Sequence, residues 1–92
     1  SRLEGGSTWL LNKKIPAETS VENIAKHKIV QRTYIAYMYH DQNIDAERKA
    51  ARVRIIYQSM ARTLSTKGID KVQDKILRSL QQKLGVTVRH LL

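Results

Sequence analysis

The residue types best able to do chemistry at neutral pH are scattered along this sequence rather than gathered. His27, His40 and His90 are its histidines, and imidazole titrates and binds metals near neutrality. None has a second histidine one helical turn away, and there is no cysteine, so a zinc site, a disulfide and a reactive thiol are all unexpected. Asp70 and Asp74 are one helical turn apart, but Lys71, Lys75 and Arg78 surround them, which describes an ion-paired helix surface. Tyr34, Tyr37, Tyr39 and Tyr57 could include a nucleophile of the site-specific recombinase kind. Lacking a basic catalytic set at a recognisable spacing, they read as amphipathic packing residues. Gly5 and Gly6 lie near the start, while Gly68 and Gly85 stand alone as helix-end residues, so no phosphate-cradling loop is present. The expectation is a chain that is not an enzyme, with no cofactor and no small-molecule substrate.

The remaining chemistry is charge. Seventeen lysines and arginines against eight acids give +9 over 92 residues, which directs attention to polyanionic partners. The excess is +1 over residues 1–19, +1 over 20–41, +3 over 42–65 and +4 over 66–92. Arg48, Lys49, Arg52, Arg62, Lys71, Lys75 and Arg78 are the cations expected to neutralise phosphate. No apolar run approaches the roughly 20 residues that cross a bilayer, and no secretory signal opens the chain. Cysteine-free composition suits a reducing compartment, so the expected location is cytoplasmic or nucleoid-associated.

These side chains need elements to position them. Residues 1–18 read as a flexible or tag-derived N-terminal arm, with Trp9, Leu10 and Leu11 laid on the rest, and residues 19–92 as one helical domain. Thr19 and Glu22 fit a capping box that opens a helix over 19–41. On a helical wheel, Val21, Ile24, Ala25 and Ile29 point one way while Val30, Tyr34 and Tyr37 point nearly the other. A break near Lys28–Val30 resolves that slip. Residues 45–65 hold neither Gly nor Pro, and Ala46, Ala50, Val53, Tyr57, Met60 and Leu64 recur at 4, 3, 4, 3 and 4, which predicts a second helix. Ile69, Val72, Ile76, Leu80 and Leu84 predict a third over 69–84, closed by Gly85. Residues 86–88 allow a short strand or an extended tail. The expected fold is all-α, a small bundle of three to four helices with an N-terminal arm.

With the break in place, residues 20–40 resemble a helix-turn-helix DNA-binding domain. Ile24 and Ala25 match its first helix, and Val30, Ile35 and Met38 match the inward positions after the turn. The resemblance implies that Gln31, Arg32, Thr33, Tyr37 and His40 face DNA. Gln31 and Arg32 would read base edges, and Thr33 and Tyr37 would hold phosphates.

The function these features favour is nucleic-acid binding, to duplex DNA, within a larger regulatory, recombination or replication protein. The competing reading is a helical protein–protein interaction or homodimerisation domain with a basic surface. RNA is disfavoured because no strand-borne aromatic platform is apparent, and a membrane surface is disfavoured because the apolar stripes read as core.

Overall fold

The computed structural model describes residues 2–39, 44, 46–61 and 63–88. Within them the chain forms β1 (Arg2–Asn12), α1 (Ala17–Ala25), β2 (Val30–Tyr39), β3 (Arg48–Gln58), α2 (Thr66–Leu84) and β4 (Thr87–Val88). The strands make one antiparallel sheet in the order β2-β3-β1-β4. β3 inserts between β1 and β2, so the first β-α-β unit is split, and β4 returns to the far side of β1. Residues from both helices join one buried cluster with the sheet: Ile24 from α1, Ile69, Ile76 and Leu80 from α2, and Trp9, Leu11, Val53, Ile55 and Tyr57 from the strands. The helices therefore cover one face of the sheet and leave the other open.

The all-α expectation is overturned, and the reason is visible strand by strand. Residues 2–12, expected to be an arm, form a central strand paired along its whole length with β3. Trp9 on that strand has no exposed surface, and its indole N–H donates to the Ser7 hydroxyl. The 45–65 stripe is a coincidence of spacing. Ala51, Val53, Ile55 and Tyr57 alternate into the core, a period of two. The supposed helical stripe mixes Ala50 from the other face with these, and its Met60 is 91 % exposed. β-branched and aromatic residues favour the pleated form here.

The break near Lys28–Val30 is real, but a strand follows it instead of a second helix. α1 ends at Ala25 and β2 begins at Val30. The expected Thr19 cap is also replaced. α1 starts two residues earlier, straight after Pro16, with no side-chain cap. The expected third helix stands as α2. The Ser65 hydroxyl accepts from the Gly68 amide at 3.1 Å, so Gly68 belongs to the first turn rather than to a preceding helix end. Gly85, at φ 67°, closes the other end, its amide donating to Gln81 O; a left-handed position of this kind suits a residue with no Cβ.

Candidate nucleic-acid interface

Residues directly opposite in an antiparallel ladder point to the same side of the sheet. Thr8 is opposite Arg52 and Gly6 opposite Arg54 across β1 and β3. Arg32 is opposite Ile56, Tyr34 opposite Arg54, Tyr37 opposite Arg52 and Tyr39 opposite Ala50 across β2 and β3. All of these lie on the face away from the helices. Thr8, Ala50 and Ile56 are nearly solvent-free there and form a floor between the longer side chains.

Two irregularities in the β2 ladder make this face what it is. The register slips between Val30 and Arg32, and again between Ile35 and Tyr37. Each slip reverses which side the following residues face. The first turns Arg32 and Tyr34 outward and sends Ile35 into the core. The second turns Tyr37 and Tyr39 outward. The result is a row of three tyrosines flanked by arginines. The Arg32 guanidinium carbon sits 4.9 Å from the centroid of the Tyr34 ring, a cation–π contact. The Tyr37 and Tyr39 centroids are 5.9 Å apart with planes at 39°. Tyr37 is 57 % exposed, so its ring presents a free surface.

Gly6 gives the central arginines room. A Cβ there would lie 3.1 Å from Arg54 Cδ, 3.3 Å from the Val53 carbonyl oxygen and 3.4 Å from Arg52 Nη2. Chemically, the face can stack planar groups on tyrosine and neutralise anions with arginine. Glu4, opposite Ile56, is a carboxylate on the same face, and among the described residues no cluster of His, Asp or Glu could bind a metal.

The structure divides the residues expected to touch nucleic acid. Arg32, Tyr37 and Arg52 come together on the open face. Gln31 is exposed at the first register slip. Thr33 is opposite Ile55, on the helix side, and its hydroxyl donates to the Arg54 carbonyl at 3.0 Å. Arg48, at the start of β3, donates from Nη1 to the Gly85 carbonyl. Lys49 is opposite Leu11, whose side chain joins the helix-side core. Lys71, Lys75 and Arg78 are exposed on α2, in the other layer. His40 and Arg62 lie outside the described residues. Tyr34, Tyr39, Arg54 and Gly6 were not anticipated. The signal for Tyr34 is the β-rich, aromatic and basic run Arg32-Thr33-Tyr34-Ile35, which reads as strand once it is not forced onto a helix.

Residues 7–89 match the family model of the ferredoxin-fold anticodon binding domain. The chain belongs to that family. Over 83 residues it is 31 % identical to the phenylalanine–tRNA ligase beta subunit of Bacteroides fragilis, covering 87 % of this chain and 10 % of that protein. Over 85 residues it is 32 % identical to the same subunit from Syntrophotalea carbinolica, covering 90 % and 11 %. The chain thus spans about a tenth of the length of the curated relatives it matches.

These matches correct the functional expectations. The helix-turn-helix resemblance fails because a strand stands where its recognition helix would be, and because the family is an anticodon-binding one. Duplex DNA as partner, with transcription regulation or recombination as setting, falls with it. The protein-interaction alternative gains nothing from these matches either. The expectation that the chain is not an enzyme is also corrected, since the relatives are subunits of a ligase. The objection to RNA dissolves, for the missing aromatic platform is present on β2. Nucleoid association finds no support. No helix among the described residues is long and apolar enough to cross a membrane.

Proposed function

We propose that the open sheet face binds the unpaired bases of a tRNA anticodon loop, as the non-catalytic RNA-reading part of a phenylalanine–tRNA ligase beta subunit. The observation that carries this reading is the row of Tyr34, Tyr37 and Tyr39 beside Arg32, Arg52 and Arg54. Sequence-specific RNA recognition works mainly on unstacked bases laid against aromatic rings and guanidinium planes. The tyrosines line the β2 side, so bases stack there, and the sugar–phosphate chain crosses the arginines of β3. The relatives support a wider setting for this reading: a longer polypeptide, the beta subunit of a ligase that joins phenylalanine to tRNA.

The test is direct binding of the chain to an anticodon stem–loop and to a DNA duplex of equal length. The stem–loop should bind more tightly at equal salt. Tyr37→Ala should weaken it about 5- to 150-fold, the loss of one stacked base at roughly 1–3 kcal/mol. Preference for the duplex, or an unchanged affinity in Tyr37→Ala, would remove the sheet face as the reader.

A further inference from the structure

A second cationic feature lies in the other layer, between α1 and α2. A cleft of about 150 Å³ opens there over the apolar floor of Ile76 and Leu80. Lys26 and His27 reach it from the end of α1, and Lys75, Ser79 and Lys83 from α2, with Asn23 beside them. Its lining carries three lysines and no carboxylate. Glu22 and Asp74, neighbours in sequence to Asn23 and Lys75, do not line it. None of the three lysines has a salt-bridge partner among the described residues. Like charges brought together without a counter-charge repel one another, an arrangement that a bound anion relieves.

His27 adds an independent sign. Its Nδ1 is shut off from solvent and has no hydrogen-bond partner, whereas folded proteins pair nearly all such atoms. His27 is itself a lining residue of the cleft. Drug-sized ligands occupy roughly 300–1,000 Å³, so a cleft half that size suits a single compact group. Lysine ammonium groups are point charges well matched to a tetrahedral oxyanion, and the Ser79 hydroxyl is a further donor.

We infer that the cleft between α1 and α2 is a phosphate-binding site, held by Lys26, Lys75, Lys83, His27 and Ser79 and separate from the open sheet face. Its ligand is a phosphate ester, supplied by the backbone of a bound RNA or by a free nucleotide. This goes beyond the anticodon reading and does not depend on it.

The test titrates the full chain, labelled with 15N, with inorganic phosphate, with cytidine 5′-monophosphate and with an anticodon stem–loop, following the His27 ring nitrogens and the Ser79 amide. Inorganic phosphate should shift both saturably, at about millimolar concentration, with Tyr37 and Arg52 on the sheet face unmoved. The double variant Lys75→Gln/Lys83→Gln should raise the dissociation constant at least about fivefold, while its circular dichroism spectrum stays that of the parent. Displacement of phosphate from His27 by the stem–loop identifies RNA as the source, and displacement by the mononucleotide alone identifies a free nucleotide. Absence of a saturable shift at His27 and Ser79, or equal phosphate affinity in the folded double variant, overturns the site. Sheet-face signals are read separately, so failure of the anticodon reading stays distinguishable from failure of this one.

Discussion

Replacing Arg52 with alanine tests whether the open sheet face grips RNA electrostatically. Arg52 lies at the centre of that face, between Thr8 of β1 and Tyr37 of β2. Arg54 follows it on β3, and Arg32 lies further along on β2, opposite Ile56, all on the same face. If each of these arginines neutralises one phosphate, the logarithm of affinity falls against the logarithm of salt with a slope of about −2.1, at roughly −0.7 per phosphate of a single strand. Raising salt from about 50 to 200 mM then weakens the parent about 18-fold, and Arg52→Ala, at a slope of about −1.4, about 7-fold. Fluorescence anisotropy of a labelled anticodon stem–loop across that range measures both slopes. Arg78→Ala serves as the control, since Arg78 is exposed on α2, in the opposite layer. Its slope should equal the parent's. A slope unchanged by Arg52→Ala, or flattened as much by Arg78→Ala, would refute the assignment of phosphate contact to the sheet. Tyr37→Ala provides the contrast, because losing a stacked base lowers affinity while leaving the slope near the parent's.

Gly6→Ala should reduce stem–loop affinity without unfolding the domain, because the added Cβ displaces the Arg54 side chain at 3.1 Å; a crystal structure of the variant with Arg54 unmoved, together with parental affinity, would show that Gly6 positions nothing. Tyr57→Phe should change the alkaline limb of stability. Burial, and secondarily the charge of Asp70, pushes the Tyr57 hydroxyl from 10.0 up to about 12. The unfolded chain therefore loses this proton before the folded chain does. The contribution is intact below pH 10 and is lost as pH rises from 10 through about 12, amounting to about 3 kcal/mol at roughly 1.4 kcal/mol per unit. Urea unfolding at steps between pH 9 and 12 should fall more steeply for the parent than for Tyr57→Phe, and parallel curves would contradict the buried-phenol assignment. At pH 9 the variant should be slightly the weaker, since it lacks the Tyr57 hydroxyl bond to Gln73 Oε1 at 3.3 Å.

The residues themselves settled several matters. The stripe of Ile69, Ile76 and Leu80 with Gly85 behind it determines α2, because a 19-residue amphipathic helix repeats its pattern often enough to outweigh accident. The phase slip at Lys28–Val30 determines that no single helix runs through it. The surplus of arginine and lysine points to a polyanion. The strands were not legible in the same way. β3 carries a 3–4 spacing and a period-two alternation at once, and only pairing with β1 and β2 chooses between them. β1 holds Gly5, Gly6 and Ser7 in its middle, which reads as linker until the neighbouring strands satisfy its amides and carbonyls.

The functional face depended most on tertiary structure. Tyr34 has an even number and Tyr37 and Tyr39 odd ones, so an unbroken strand would send them to opposite sides. The slip between Ile35 and Tyr37 unites them, and the partner strand sets that slip by burying Val53 and Ala51 opposite Ile35 and Met38. The sequence alone determines that aromatic and cationic groups are present. Whether they share one surface is decided by register, a property of two strands together that neither strand carries by itself.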